Sequence, residues 1–233
     1  MKARLAAVPW GHIVVESALI FGSVYLAIVL ESRSQDARDV REARAALVQL
    51  LDEIRRDEVD LAEVHAAQDS LALRYADIDR WLDDPATVPG DSMTAALRYL
   101  SLNNRTMFPR HAAWTMMVAA GQLPDLDDPA LVARLGDLYE NVVPRIEYNG
   151  HYYDESVDRA FDPGVANSWD SSGRRFAPGG EEVAIRLRES LQRLSYAWNR
   201  YYLDLLDDYG ERLGQTADAV DAHLRRHGTT PGG

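Results

Sequence analysis

Two histidines near the C-terminus have a spacing that could bind a metal ion. His223 and His227 are four residues apart, which places two imidazole groups on one face of a helix. The pair stands beside the C-terminal tail, without a carboxylate held next to it by the same helical spacing. We therefore interpret both histidines as part of a solvated chain end and not as a metal site.

The stretch from Glu147 to Glu155 is richer in reactive groups, because it combines acids with His151 and three tyrosines. A carboxylate-bridged metal centre in a helical bundle needs Glu-x-x-His on each of two helices. Neither Glu147 with His151 nor Glu63 with His65 has this spacing. A bundle metalloenzyme is therefore our third interpretation, and tyrosines that pack between helices are the simpler one.

Other patterns that carry chemistry are absent from the sequence. The chain has no cysteine, which excludes disulfides, thiolate zinc sites and thiol catalysis. It has neither a G-x-S-x-G nor a glycine-rich phosphate loop. We expect no enzymatic activity, no cofactor and no metal. Five residues are candidates for a pocket or a partner surface: Trp114, His151, Tyr153, Trp198 and Tyr201.

Composition restricts the partners that the chain can have. The formal charge is −12, which argues against nucleic acid, whose phosphates need a basic surface. It also argues against peripheral attachment to anionic lipids. A hydrophobic content of 46% with 27% charged residues suits one domain and an additional segment within 233 residues.

That additional segment is Ile13–Leu30, an 18-residue apolar run with one ionisable residue, Glu16. At about 1.5 Å per residue it covers roughly 27 Å, close to the thickness of the bilayer hydrocarbon. We predict that residues 13–31 form a single transmembrane helix behind a basic head, residues 1–12. A cleavable signal peptide is less favoured, because the run is long and no small-residue cleavage site follows it. A buried core helix is the other alternative.

The orientation of this anchor depends on the charges that flank it. Four arginines follow the span within twenty residues, against Lys2 and Arg4 before it, and by count they would keep the body in the cytoplasm. Those arginines alternate with acids, whereas the head has none. A short basic head before a long domain is typical of an uncleaved signal anchor. We favour a single-pass protein of a bacterial inner membrane with a periplasmic body.

Glu16 is the candidate for chemistry inside the span. An intramembrane acid is a functional-site hypothesis by default, but without a partner it makes a poor proton relay. Ser23 and Ala27 share its helical face, and small residues let helices approach closely. We predict that Glu16, Ser23 and Ala27 pack against another membrane helix or a second copy.

A heptad pattern follows the span. Its members alternate at steps of three and four residues from Val40 to Leu82, and only Asp57 and Gln68 among them are polar. We call these heptad positions the seam. Because no Gly or Pro lies between Ser23 and Asp84, we predict that a single helix contains both the transmembrane span and the seam. The seam needs a partner helix, and the rest of the chain can supply one in an antiparallel bundle.

Turn residues divide the rest of the chain. Asp128 and Pro129 form an N-cap and N1 pair, whereas Pro144 should kink the next helix and Asn149–Gly150 could break it. We predict a helical bundle domain over 32–227 and a disordered tail over 228–233. Within the domain we predict an irregular loop over 162–180, which Trp169 and Phe176 hold against the bundle. A last helix should follow over about 181–226, and Gly210 and Gly214 should weaken its far end.

Residues 10–57 run from an apolar span into a charged helix in an order that resembles a large bacterial family of membrane-anchored helical proteins of unknown function. Such proteins place a Glu near the start of the span and a polar exit segment after it. Glu16 and residues 31–33 take those places here, without the Trp that the exit often contains. Residues 113–123 resemble the family's second landmark, a short helix closing in Gly-x-Leu. The resemblance covers about residues 10–150 and implies the architecture but no activity.

The expected fold is therefore all-α, with an N-terminal transmembrane helix that continues into a long helix of an antiparallel bundle. The expected function is that of a membrane-tethered interaction or scaffold protein without catalysis, which binds a protein partner or a second copy. A sensor-like, ligand-binding extracytoplasmic bundle is the alternative. It is weakened because only about a dozen residues precede the span to carry a cytoplasmic output.

Overall fold

The computed structural model describes residues 10–161 and 163–228, and for residues 10–17, 163, 196–198 and 228 it describes the backbone alone. In this part the chain forms eight α-helices and one hairpin of two short strands, which confirms the predicted all-α bundle. The helices are α1 Trp10–Asp83, α2 Ser92–Leu102, α3 Ala112–Ala119, α4 Pro129–Gly136, α5 Val143–Ala160, α6 Pro163–Asn167, α7 Glu181–Gln192 and α8 Arg200–Gly228. The hairpin pairs β1 Trp169–Asp170 with β2 Arg175–Phe176 in antiparallel register.

The predicted continuity of α1 is confirmed. Its 74 residues extend over roughly 110 Å at about 1.5 Å per residue. No Gly or Pro interrupts the hydrogen-bond ladder between Ser23 and Asp84. The helix ends because Pro85 disfavours helical geometry in the residue before it, and Pro85–Thr87 turns the chain as a 3₁₀ helix.

The two halves of α1 lie in different surroundings. The seam residues from Ala43 to Ile78 are buried and Leu82 is partly buried, whereas no residue from 18 to 42 is buried. The alternative of a buried core helix is therefore wrong for residues 18–30. Val40, the first residue of the predicted seam, is 51% exposed, so the buried seam begins at its second residue, Ala43. Among the residues that the structure describes, no helix is sufficiently long and apolar to cross a membrane.

The partner of the α1 seam is the last long helix, which runs antiparallel to it. Near the start of the seam, Arg44 of α1 donates to the carbonyl oxygen of His227 at 2.7 Å, at the C-terminal end of α8. Further along, a Cβ on Gly210 would lie only 2.9 Å from Leu61 Cδ2. Gly210 does not interrupt the helix. It lets α8 approach α1 closely.

Two π-helical segments join helices into longer rods. Asp137–Val142 joins α4 to α5, and Arg193–Asn199 joins α7 to α8. The first ends at Val142, two residues before Pro144, which has no N–H to donate, and the helix continues through this proline as α5. The predicted break at Asn149–Gly150 is wrong, because α5 continues through these residues to Ala160. Gly150 faces Tyr202, whose hydroxyl would lie 3.2 Å from a Cβ at this position. Close packing explains the glycine.

Two apolar cores lie along the bundle. The first contains residues 43–64 of α1 with α3, α4 and α8. The second contains residues 71–81 of α1 with α2, the end of α5, α6 and α7. The segment 162–180, predicted to be irregular, holds α6 and the hairpin. Trp169 is buried in the second core and meets Phe176 edge to face at 5.2 Å, as expected for residues that hold this loop.

Candidate functional site

A network of polar side chains runs through the bundle, from Asp57 within the first apolar core to Gln68 between the two cores. We call it the polar layer, and it comprises Asp57, Gln68, Tyr75, Arg110, Tyr153, Asn199, Tyr202 and Tyr209. Two of these residues are the polar positions of the predicted seam. The structure shows which distant segments supply their partners.

Asp57 is the most constrained carboxylate in the layer. It is buried, and it accepts hydrogen bonds from the Arg110 backbone N–H at 2.9 Å, the Arg110 guanidinium at 2.7 Å and the Tyr209 hydroxyl at 2.9 Å. Burial raises the pKa of Asp57, and these three donors oppose the rise. Burial and the neighbouring Asp57 charge raise the pKa of Tyr209, which keeps its hydroxyl protonated as a donor.

Gln68 organises the second part of the layer. Its amide nitrogen donates to the carbonyl oxygen of Arg105, and its amide oxygen accepts from Asn199 at 3.2 Å. Both side chains are buried, so each would lose hydrogen-bonding partners if the other were truncated. This pair ties α1 to the π-helical segment before α8.

Three tyrosines complete the layer on the side of the second core. The hydroxyls of Tyr75 and Tyr153 are 3.1 Å apart, and the rings of Tyr153 and Tyr202 are stacked at 5.5 Å. The Tyr202 hydroxyl accepts from the Met107 backbone N–H at 2.8 Å. Burial raises the pKa of all three phenols, so none is ionised near neutral pH.

The layer holds the segment between α2 and α3, residues 103–111, against α1. Glu53 accepts from the Ala113 backbone N–H at 3.0 Å and so caps the start of α3. Arg110 also pairs with Asp60 at 2.7 Å, and Arg105 approaches Glu63 at 3.4 Å. The α1 carboxylates that contact this segment therefore lie along one face of the helix, and the segment crosses that face. They are Glu53, Asp57, Asp60 and Glu63.

The arrangement links distant helices through hydrogen bonds. Every side chain of the polar layer has a hydrogen-bond partner among the described residues. Among the described residues, no group of three or more His, Asp or Glu side chains could hold a metal ion. A satisfied buried network of this kind fixes how the helices register with one another.

The structure separates the residues predicted for a pocket or a partner surface. Trp114 belongs to the first core, where it stacks on Tyr139, and Tyr153 belongs to the second. Both are buried, so they are removed from any partner surface. His151 and Tyr201 are exposed. The side chains of Trp198 and of Glu16 in the membrane-packing set lie outside the described residues.

The C-terminal histidines also differ from the prediction. His223 is buried, and its Nδ1 lies 3.2 Å from the Asp128 carboxylate, which the spacing within α8 could not reveal. The same carboxylate caps α4 by accepting from Leu131 N–H at 3.0 Å, as predicted for Asp128. His227 is exposed, with its ring 4.5 Å from that of His223. His223 therefore links α8 to the N-cap of α4, and of the two histidines only His227 is exposed near the chain end.

No protein-family model matches the chain, and comparisons with curated proteins and with solved structures give no significant match.

Proposed function

We propose that this chain is a membrane-tethered helical protein that presents its bundle to a protein partner and has no catalytic activity of its own. The proposal has three parts: the tether, the spacing of the bundle from the bilayer, and the surface left for a partner.

The observation that carries the tether is the exposure of the apolar run. Eight large apolar side chains between residues 19 and 30 are 52–75% exposed, and nothing in the described bundle covers them. They are Leu19, Ile20, Phe21, Val24, Tyr25, Leu26, Ile28 and Leu30. Such a continuous apolar surface is unfavourable in water, and insertion into lipid would remove it from water while the helix satisfies its own backbone. The run begins at Ile13, five residues before Ala18, the first described side chain.

The helix between the apolar run and the bundle supports a spacer role. Residues 31–42 carry acids and arginines on all faces, and none of them is buried. Twelve helical residues extend roughly 18 Å, so the bundle would stand clear of the head groups. A helix that is polar all round and continuous at both ends is suited to bridging two bodies through solvent.

The bundle surface supports protein interaction better than catalysis. The polar layer uses its hydrogen-bonding groups internally, while several large apolar side chains are left 60–80% exposed outside the apolar run. These are Val59, Leu73, Leu102, Phe108, Met116, Tyr148 and Ile185. Two of them, Leu102 and Phe108, line one groove, and exposed apolar side chains that lie close together mark partner surfaces more often than reactive centres.

Packing inside the membrane and topology complete the proposal. Ser23 and Ala27 are exposed on α1, and Ser23 Oγ donates to the Ile20 carbonyl at 2.9 Å, so both leave room for a neighbouring helix. With Glu16 they would pack against a partner helix or a second copy. The site of action would be a bacterial inner membrane, with the bundle in the periplasm.

Alkaline carbonate extraction tests the tether. Membranes from cells that express the full chain should retain it in the pellet, and a chain lacking residues 1–30 should be released. Release of the full chain would contradict the tether. A C-terminal reporter that is active only in the cytoplasm tests the orientation, because its activity would contradict export.

The partner is tested by affinity purification of the detergent-solubilised full chain with mass spectrometry. We expect a protein that copurifies in stoichiometric amount. A tightly bound metabolite without any stoichiometric protein would contradict the interaction role and favour the ligand-binding alternative.

A further inference from the structure

A surface groove lies beside the polar layer, where the segment 103–108 crosses α1 and meets α5. It has a volume of about 550 Å³. Its lining combines carboxylates from α1 and α5 with apolar side chains from the segment and the end of α2. We call it the 103–108 groove.

The apolar part of the groove is unusually exposed. Leu102 at the end of α2 is 80% exposed, and Phe108 in the crossing segment is 72% exposed. Val64 and Met107, which also line the groove, are buried below them. Two large apolar side chains are thus left exposed along a groove whose deeper residues are already packed. Exposed apolar side chains in such a position are typical of a surface that a protein partner covers.

The charge of the groove is negative and incompletely balanced. Asp60 and Glu63 have arginine partners, Arg110 at 2.7 Å and Arg105 at 3.4 Å. Asp154 and Asp158 line the groove from α5, and neither has an arginine or lysine within ion-pair distance among the described residues. A cation placed between these two carboxylates would gain a favourable interaction beyond the one that His151 offers Asp154.

A buried acceptor without a donor lies next to these carboxylates. The Asn104 side chain donates its amide nitrogen to Asp154, and the second Asp154 oxygen accepts from Thr106 at 2.9 Å. The Asn104 Oδ1 atom is buried and receives no hydrogen bond from the described residues. A buried acceptor left unpaired is costly, but this atom is shielded from solvent, so a donor from outside the chain does not reach it. Burial and the charge of Asp158 raise the pKa of Asp154, which a bound cation would reverse.

We propose that the 103–108 groove docks a basic amphipathic segment of a protein partner. One lysine or arginine of that segment binds Asp154 and Asp158. Apolar residues on either side of it pack on Leu102 and Phe108. This inference rests on the interaction function proposed above, and it names the chemistry of the partner that the bundle binds.

The experiment uses the full chain in nanodiscs of zwitterionic lipid, with empty nanodiscs as the reference for peptide binding to lipid. The probe is a fluorescein-labelled peptide with the sequence LKLKL between Gly-Ser flanks, followed by fluorescence anisotropy. A peptide with serine in place of each leucine tests charge alone. We expect the LKLKL peptide to bind, to bind less tightly as salt rises, and to bind more tightly than the serine peptide.

Two pairs of substitutions separate the contributions. Asp154→Asn with Asp158→Asn removes the unbalanced charge, and Leu102→Ser with Phe108→Ser removes the apolar flanks. We expect each pair to weaken binding at least tenfold. Circular dichroism melting of each variant checks that the bundle remains folded.

Matched controls carry the same chemical changes elsewhere. Glu211→Gln with Asp218→Asn removes two charges from α8, and Leu73→Ser with Ile185→Ser removes two exposed apolar side chains. We expect these variants to bind the LKLKL peptide within twofold of the unchanged chain.

Three results would overturn the proposal. Equal loss in the groove and control charge variants would mean that the −12 charge attracts any cationic peptide. Equal binding of the two peptides, unaffected by Leu102→Ser with Phe108→Ser, would mean a simple cation site. Unchanged binding in both groove variants would place the peptide elsewhere. None of these results bears on membrane retention, so failure of the groove and failure of the tether are distinguishable.

Discussion

Tyr209 of α8 donates its hydroxyl to Asp57 of α1 across 2.9 Å, in a part of the bundle where Asp57 is almost entirely inaccessible to water. The two residues are 152 positions apart in the chain. Their contact fixes the register of the two longest helical rods, since a shift of either helix by one residue would leave a buried hydroxyl or carboxylate without its partner.

The first prediction concerns this contact. Asp57→Ala leaves the Tyr209 hydroxyl and the Arg110 N–H without an acceptor and should lower the free energy of unfolding by about 2–4 kcal/mol. Asp57→Asn should cost less, because the amide oxygen still accepts and a neutral group is easier to bury. Urea unfolding of the full chain in detergent, followed by circular dichroism, measures both.

Asp52→Ala is the matched control for Asp57→Ala. Asp52 lies five residues earlier on the same helix and pairs only with Arg56 at an exposed position. Its loss should change the free energy of unfolding by less than about 1 kcal/mol. Equal effects at positions 52 and 57 would contradict the structural role of the polar layer.

The second prediction is the pH dependence at Asp128. Hydrogen bonds from Leu131 N–H and then from His223 lower the pKa of Asp128 below its ordinary value near 3.8. A carboxyl whose pKa is lower in the folded state stabilises above the unfolded pKa, and this contribution is lost as the pH falls through the folded pKa. We therefore expect its stabilisation to be complete above about pH 5 and to decline below pH 4.

Two variants separate the charge of Asp128 from its role as an N-cap. Asp128→Ala removes both and should cost about 1–2 kcal/mol at pH 7. Asp128→Asn keeps an N-cap but cannot ionise, so the difference between it and the unchanged chain should shrink as the pH falls from 5 to 2. Urea unfolding at a series of pH values measures this difference, and a constant difference would contradict the assigned pKa direction.

The third prediction contrasts two helical glycines. Gly136 has nothing within 4 Å of where a Cβ would lie, so Gly136→Ala should stabilise by up to about 1 kcal/mol through helix propensity. Gly150 would place its Cβ 3.2 Å from the Tyr202 hydroxyl and 3.4 Å from Thr106 Cβ, so Gly150→Ala should gain nothing or destabilise. Thermal melting compares them. A higher melting temperature for Gly150→Ala than for Gly136→Ala would contradict the close approach of α5 and α8.

The fourth prediction concerns the apolar run. Phe21 lies near its middle and is 75% exposed, and an arginine at the centre of a membrane helix costs about 2.5–3.5 kcal/mol. Phe21→Arg should therefore reduce the fraction of the chain that resists carbonate extraction. Leu73→Arg changes a residue of similar exposure on the same helix, within the bundle, and should leave that fraction unchanged. Equal retention of both variants would argue that lipid does not surround residue 21.

Local signals account for the parts of the fold that were predicted correctly. The unbroken course of α1 as far as Pro85 and the cap at Asp128 each depend on a few neighbouring residues. The heptad pattern likewise identified the buried face of α1 from Ala43 to Ile78, including the polar positions Asp57 and Gln68.

The partners of those polar positions could not be predicted in the same way. Arg110, Tyr209 and Asn199 come from segments 53, 152 and 131 positions away from the groups they contact. Nothing in their local spacing distinguishes them from surface arginines, core tyrosines or turn asparagines. For the same reason, the burial of Trp114 and Tyr153 could not be predicted from their local spacing.

The long unbroken α1, its apolar first part and the face that it turns to the bundle follow from local sequence, because helix propensity, capping and periodicity act within a few residues. The start of the buried seam, at Ala43 beside the C-terminal end of α8, and the polar groups that meet inside the bundle follow from the packing of distant helices. These features depend on how far a distant helix reaches and how two rods register, which no short stretch of either one specifies.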